Sequence, residues 1–238
     1  MAFTNILPTP DYKINAAGES DSAGDAGPGF LAVKLSSQFS TLTDRTNGGK
    51  LLARAASYQK WTIDISYNPM TVEEFRPVYA FIMQQKGGLF PFFVDLPQYS
   101  TPSDSSWSSF LNSNSMQVSS QTVSGSTSMI INNASYSPST HGAPKPGEIF
   151  TISDPNATNA YKTYMITRVE NTSVYETAVS SGDIRLHFSP PLEKTISTSA
   201  TINFKNAKFR VIASDLHEYQ LGTNGLYSFS LKLEEALA

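Results

Sequence analysis

Three histidines are the first residues in this 238-residue chain to test for catalytic or metal-binding chemistry. His141 lies in a turn-rich segment, His187 in an alternating strand, and His217 between Asp215 and Glu218 in a polar loop. None has a second histidine or a carboxylate at the helical spacing of a metal pair, and nothing nearby fits a catalytic triad. We therefore predict structural histidines and no metal site.

Paired carboxylates are the second candidate, because glycoside hydrolysis needs two of them on either side of a sugar bond. Asp154 and Asp183 lie in predicted turns, where aspartate is common for backbone reasons alone. Phosphate-binding glycine motifs and the G-x-S-x-G elbow are absent. The chain has no cysteine, which excludes disulfides, thiolate zinc sites and cysteine nucleophiles. We predict no catalytic residue, no cofactor and no enzyme, and a small β-rich hydrolase is the third-ranked alternative.

The composition favours a β-rich protein. Charged residues make up 16% of the chain, against roughly 25% in an average globular protein, and serine, threonine and asparagine replace them. A net charge of −3 gives no electrostatic reason to expect nucleic-acid recognition. No apolar run reaches the roughly 18 residues of a membrane span, and the N-terminus lacks a signal pattern. We expect a protein that is neither secreted nor inserted into a membrane.

The most regular stretch runs from residue 59 to residue 97 and predicts strand, helix and strand. Trp61–Tyr67 alternates apolar and polar residues, as a strand with one buried face does. Thr71 and Glu74 have the spacing of a capping box, which starts a helix at about 72–86. Pro77 predicts a kink, or a helix that begins nearer residue 76. The expected apolar stripe of this helix is Phe75, Val78, Tyr79, Ile82 and Met83.

The closing strand, Leu89–Leu96, is almost continuously apolar, so we expect the helix to cover one face and protein the other. Pro91 places part of it at a sheet edge or a bulge. Such a strand is a natural subunit contact. The candidate contact residues are Leu89, Phe90, Phe92, Phe93 and Leu96.

Upstream of this unit the sequence predicts a short strand at Phe30–Leu35 and a turn at residues 47–49 leading into a second strand, Leu51–Ser57. Residues 14–29 are small, polar and rich in glycine. They form either a mobile loop or an arm that becomes ordered against a neighbouring subunit.

The C-terminal strands 207–213 and 226–233 need a sheet to join, and Trp61–Tyr67 offers a matching face. We therefore predict a discontinuous core domain, residues 1–98 with 206–238. It is a mainly β (α+β) core, an antiparallel sheet with one flanking helix.

Residues 99–205 are predicted to form an inserted domain. The serine-rich segment 99–115 is either a linker or an excursion from the core. Six short strands separated by turn residues follow it, which indicates a small β-barrel of the oligonucleotide/oligosaccharide-binding (OB) kind. Its tyrosines could contact bases or sugars, but few basic residues accompany them, so a carbohydrate role fits better than a nucleic-acid role and half-buried core tyrosines fit best. These tyrosines are Tyr161, Tyr164 and Tyr175, and the nearby basic residues are Lys162, Arg168 and Arg185.

Three segments of the core domain together resemble a known family: the start ILPTPDY, the run WTIDISYNPMTVEEFRPVYAFIMQQKGGLFPFFVDLP and the ending FRVIASDLHEYQLGTNGLYSFSLKLEEAL. They are similar to the distal tail, or tail-tip, proteins of long-tailed bacteriophages, described as tail-tube initiators or baseplate-hub-like proteins. The segment KPGEIFTI…YMITRV…IRLHFSPPL resembles the small β-domain inserted in some members.

The resemblance implies a structural virion protein with a tail-tube-like β-sandwich or barrel and a flanking helix. It implies a ring, usually of six copies, at the tail end distal to the capsid, joining the tail tube protein to hub or baseplate proteins. Assembly in the host bacterial cytoplasm follows from that role. The alternative function is a carbohydrate- or host-surface-binding module whose glycan contact is made by the inserted barrel.

Overall fold

The computed structural model describes residues 5–10, 13–14, 20–21, 27–156, 162–171, 182–213 and 218–236. Most of the predicted arm 14–29, together with Tyr161, Tyr175 and His217, lies outside the described residues. The strands are β1 (Lys13–Ile14), β2 (Ser20–Asp21), β3 (Phe30–Arg45), β4 (Leu51–Tyr67), β5 (Phe92–Asp95), β6 (Met116–Val118), β7 (Ser128–Asn132), β8 (Ile149–Ser153), β9 (Thr163–Glu170), β10 (Asp183–Ser189), β11 (Thr201–Asn203), β12 (Lys208–Ala213), β13 (Tyr219–Leu221) and β14 (Tyr227–Glu235). The helices are α1 (Val72–Gln84), α2 (Ser105–Phe110) and α3 (Pro138–His141).

The chain divides into two compact units, Met1–Pro97 with Phe209–Leu237 and Gln98–Lys208. The first unit is built on a sheet with the strand order β3-β4-β14-β12-β5, to which β13 adds beside β14. The predicted pairing of the C-terminal strand is confirmed: Leu231 lies opposite Ile65 and Leu233 opposite Ile63. The predicted mainly β fold is likewise confirmed. A sandwich or a barrel was expected here, and the described part has one large sheet whose second layer is α1.

Helix α1 covers the apolar face of this sheet. Phe75 stacks on Tyr227 with ring centroids 4.5 Å apart, and Phe81 meets Phe92 edge-on at 5.6 Å. The predicted stripe is wrong at one end, since Phe81 is buried while Met83 is 56% exposed. The helical repeat of 3.6 residues rotates Met83 away from the sheet once Phe75, Val78 and Ile82 face it.

The capping box of α1 is confirmed. The Glu74 amide donates to Oγ1 of Thr71, and the Thr71 amide donates to Oε2 of Glu74. Because this box fixes the first turn, the helix begins at Val72 and contains Pro77, and the alternative start near residue 76 is wrong. The missing N–H of Pro77 leaves only one backbone acceptor of the helix without its usual donor.

The predicted short strands Phe30–Leu35 and Leu51–Ser57 are too short. Strand β3 continues to Arg45, and β4 joins Leu51 to Tyr67 without a break. The Gly49 turn connects them, with φ at 81°, and sets a register in which Arg45 lies opposite Leu51. The result is one long antiparallel hairpin, because no proline or glycine interrupts either strand.

The predicted strand Leu89–Leu96 is too long at its start. Pro91 cannot donate to a ladder, so β5 begins at Phe92, and Leu89 and Phe90 lie in the preceding loop. The outer edge of β5 is covered by the N-terminal segment. Phe93 donates to the carbonyl of Asn5, and Leu7 donates to the carbonyl of Phe93, both at 2.8 Å.

Tyr67 fastens the same N-terminal segment to the sheet. Its hydroxyl donates to the carbonyl of Pro8 at 2.8 Å, and its ring packs on Phe30 and Phe229. Burial raises the pKa of Tyr67 far above its ordinary value.

The second unit is a closed barrel with the strand order β10-β7-β6-β11-β8-β9. It contains the six predicted strands, one more than the OB fold. Alternating side chains point inward from every strand and pack into one core. Ile131, Phe150, Ile184 and Leu186 in this core have no exposed surface.

The serine-rich segment 99–115, expected to be a linker or an excursion from the core, contains α2. Asp104 caps this helix by accepting from the amide of Trp107 at 2.9 Å. Trp107 is completely buried and packs edge-on against Phe204 at 5.4 Å, so the segment belongs to the barrel core. The signal was present in the sequence as an N-capping aspartate followed by two aromatic residues three apart.

Ile131 and its neighbour Ile130 provide a matched test of the barrel core. Ile131→Ala should lower the free energy of unfolding by about 2–5 kcal/mol, because it removes fully buried methyl groups. Ile130→Ala, on the outward face of β7, should cost much less. Labelling with 5-fluorotryptophan gives one fluorine signal from each unit, Trp61 and Trp107, so urea unfolding of the barrel is followed separately by NMR. Equal losses in the two variants would contradict the inward assignment.

Tyr67 should make the first unit sensitive to alkaline pH. An unfolded tyrosine loses its proton near pH 10, whereas the buried hydroxyl keeps it. Above about pH 10 the unfolded state therefore binds fewer protons, and the free energy of unfolding falls as pH rises. Tyr67→Phe should make this fall shallower by up to about 1.4 kcal/mol per pH unit. Tyr219→Phe, at an exposed tyrosine, is the control and should leave the slope unchanged.

Candidate assembly surface

The histidines singled out in the sequence serve local structure where they are described. Nδ1 of His141 accepts from the amide of Ser137 at 3.0 Å. Nε2 of His187 lies 3.1 Å from Oε1 of Glu170, which also binds Arg168. Across the described ranges, no group of three histidine, aspartate or glutamate side chains could hold a metal ion.

The two candidate carboxylates have different surroundings. Asp154 accepts from the amides of Asn156 and Ser197 at 2.8 and 2.6 Å, the turn-forming role expected for it. Asp183 lines a cavity on the barrel. Tyr164, proposed as a possible sugar contact, is buried in the barrel core, where its hydroxyl accepts from the amide of Glu193.

The main exposed feature of the first unit is the outer part of the β3–β4 hairpin, residues 41–54, called here the ribbon. Strand β14 pairs with β4 only between residues 62 and 66, so in the ribbon β3 and β4 pair only with each other among the described residues. Both faces of the ribbon are exposed. A two-stranded hairpin is at best marginally stable alone in water, so the ribbon gains stability from any partner that covers it.

The ribbon carries apolar side chains on its exposed faces. Leu42 lies opposite Arg54 and Leu52 opposite Asp44, which makes the two leucines diagonal neighbours on one face. Leu42 is 69% exposed and Leu52 is 50% exposed. Leu51 lies on the other face and is exposed as well. Exposed leucines grouped in this way are typical of a protein–protein contact.

The free edge of β3 is a second part of this surface. Among the described residues, β3 pairs with β4 alone, which leaves its outer backbone groups without a ladder partner. Soluble proteins usually protect such an edge with prolines, charges or a short length. Phe30–Phe39 contains no proline and a single charged residue, Lys34. This edge is therefore suited to pairing with a further strand.

The loop between α1 and β5 exposes a further apolar patch on the first unit. Leu89 is 65% exposed and Phe90 is 46% exposed, with Nζ of Lys86 lying 5.6 Å from the Phe90 ring. The other candidate contact residues of this strand lie deeper. Phe92 and Leu96 are fully buried in their own unit, and Phe93 is half-buried.

Residues 21–99 of the chain match the family model of the distal tail protein pb9, A domain, N-terminal. This part of the chain resembles the phage distal tail protein family. The predicted resemblance is thereby confirmed. The match includes the long hairpin, the ribbon, α1 and β5, so the whole assembly surface lies in the distal tail domain. A comparison with curated proteins finds none that matches the chain.

A match to a distal tail protein domain supports a structural role in a phage tail. No helix in the described part of the chain is long and apolar enough to cross a membrane. Sequence reasoning missed the ribbon in this distal tail domain. The available signal was the absence of proline and glycine from Phe30–Arg45 and from Leu51–Tyr67.

The exposed leucines of the ribbon should contribute little to the fold of one chain. The double variant Leu42→Ser, Leu52→Ser should change the free energy of unfolding of the first unit by no more than about 0.5 kcal/mol, the usual range for surface substitutions. The Trp61 fluorine signal in a urea titration measures this change. A loss of the size expected for a core leucine, about 2–5 kcal/mol, would mean that these side chains pack within the chain.

Proposed function

We propose that this distal tail protein assembles into a ring at the end of the tail distal to the capsid, where it joins the tail tube to the hub or baseplate. The observation that carries the proposal is the exposed apolar ribbon together with the unpaired edge of β3. Both are features that a monomeric protein normally avoids.

The position of the two exposed surfaces favours a ring over a two-fold dimer. Strand β3 forms one end of the sheet order and β5 the other, and the Leu89–Phe90 patch directly precedes β5. The edge of β5 is already covered by the N-terminal segment, so the two ends are chemically different. A contact between two different surfaces is heterologous, and it forms a closed ring when its rotation closes. The resemblance to distal tail proteins gives six as the expected number of copies.

In this ring the ribbon of one copy packs against the Leu89–Phe90 patch of the next. Phe92, Phe93 and Leu96 act behind that patch, because they hold β5 against the unit's own core. The central part of such a contact is apolar and excludes water, while polar residues surround it. Asp44 and Arg54, on the same face of the ribbon as the two leucines, fit the polar surrounding region.

The tail tube protein and the hub or baseplate proteins are the proposed neighbours of the ring. The role needs no catalysis, and the protein is proposed to be non-enzymatic. We place its assembly in the cytoplasm of the host bacterium. The two compact units support the proposed domain organisation, a discontinuous core of residues 1–98 and 206–238 and an inserted barrel of residues 99–205.

The ring can be tested with the purified full-length chain. Negative-stain images and sedimentation velocity should show closed rings whose population rises with protein concentration. The double variant Leu42→Ser, Leu52→Ser and the single variant Phe90→Ser should each shift the protein towards monomer, because each removes apolar area from one side of the same contact. Val123→Ser, at an exposed apolar residue of the barrel unit, is the matched control and should leave the rings intact.

Two outcomes would count against this proposal. A wild-type chain that stays monomeric at the highest soluble concentration would contradict self-assembly. Rings that persist in both the ribbon and the Phe90 variants would contradict the assigned surfaces.

A further inference from the structure

A row of polar side chains crosses the outside of the barrel on three neighbouring strands. Gln117 on β6 lies opposite Asn132 on β7, and Asn132 lies opposite Asp183 on β10. Their chain neighbours Val118, Ile131 and Ile184 are buried in the barrel, so the three polar side chains face outward together.

These three side chains are available to bind a ligand. Among the described residues, Gln117, Asn132 and Asp183 make no side-chain hydrogen bond, unlike the turn aspartate Asp154, whose two oxygens are both engaged. Two amides and a carboxylate in adjacent register present both hydrogen-bond donors and acceptors to the same space. Backbone pairing fixes their spacing, since the strands carry them.

The row forms one side of an open cavity of about 530 Å³. This volume lies within the range of small-molecule sites, roughly 300–1,000 Å³. The segment from Asn133 to Tyr136 also lines the cavity, and hydrogen bonds of Asn133 hold this segment in place. Asn133 donates to the carbonyl of Ser115 and accepts from the amide of Ser135, both at 2.8 Å.

Tyr136 forms a rigid aromatic boundary of the cavity. Its hydroxyl donates to the carbonyl of Gly142 at 2.8 Å, and its ring meets Trp107 edge-on at 5.6 Å. Burial raises the pKa of Tyr136 to about 12, so the hydroxyl stays protonated at neutral pH. Gly182, at φ +90°, completes the rim, and any larger residue there would be strained.

The residues that line the cavity indicate which class of ligand it can bind. It contains no lysine or arginine, and its single charged group is the carboxylate of Asp183, so phosphate, sulfate and nucleic acid are disfavoured. An apolar ligand would leave the amides and the carboxylate without partners, which is costly. A neutral polyhydroxylated ligand can both donate to Asp183 and pair with the two amides. We propose that this cavity is a binding site for a neutral saccharide.

The site is complete within one chain, so it does not depend on the ring. A chain that fails to form rings can still bind the saccharide, and a chain that forms rings can lack the saccharide site. The inference rests on the geometry of the barrel and not on the family match, which covers residues 21–99.

The test uses the full-length chain and a panel of neutral sugars: glucose, galactose, N-acetylglucosamine and their disaccharides. Saturation-transfer NMR should detect saturable binding of at least one sugar, and glucose 6-phosphate should bind more weakly than glucose because of Asp183. Gln117→Ala and Asn132→Ala should each weaken binding about tenfold, the effect of losing one hydrogen bond of roughly 1.4 kcal/mol. Gln121→Ala is the matched control, since Gln121 is an exposed amide of the same unit outside the cavity.

A conservative variant keeps the test informative if an alanine variant folds poorly. Asp183→Asn retains the planar shape and removes the charge, so it should narrow the difference between glucose and glucose 6-phosphate. The absence of saturable binding by every sugar of the panel would overturn the proposal. An equal loss of sugar affinity in folded Gln117→Ala and Gln121→Ala variants would also overturn it. The same holds if Asp183→Asn leaves the preference for glucose over glucose 6-phosphate unchanged.

Discussion

The antiparallel pairing of β4 with β14 is the interaction on which the first unit depends. It joins two strands far apart in the chain and aligns Ile63 and Ile65 with Leu233 and Leu231 on one buried face. A long intervening chain raises the entropic cost of this closure only slowly, because the cost grows with the logarithm of length. The apolar area buried beneath α1 offsets that cost. A separate barrel can therefore be inserted into the chain between β4 and β14 without preventing their pairing.

The same pairing explains why the proposed assembly surface lies on the outer part of the hairpin. Strand β14 covers β4 only as far as residue 62, and beyond Gln59 the hairpin has no third strand in the described part of the chain. The ribbon therefore contributes little to the fold, yet it retains exposed leucines at positions 42, 51 and 52. Apolar side chains that do not stabilise the single chain remain available for burial against a neighbouring subunit.

In the barrel, the two-residue period of the strands separates the side chains that form the core from those that face outward. Inward side chains such as Ile131 and Ile184 make its core, while the intervening Asn132 and Asp183 face outward. Sequence reasoning treated Asp183 as a turn residue, because the turn signal is local. It had no means of placing Gln117 beside Asn132, since that neighbourhood arises from cross-strand register and barrel closure.

Local rules in the sequence alone determined the capping box of α1, the six barrel strands and the apolar face shared by β4 and β14. Each depends on residues within one element, or on the match between the apolar faces of two strands. Only the tertiary structure decided that Phe81 and not Met83 faces the sheet, that α2 enters the barrel core and that β3 and β4 form a single long hairpin. These outcomes depend on which surfaces pack together. Packing between segments that are distant in the chain cannot be predicted from either segment alone.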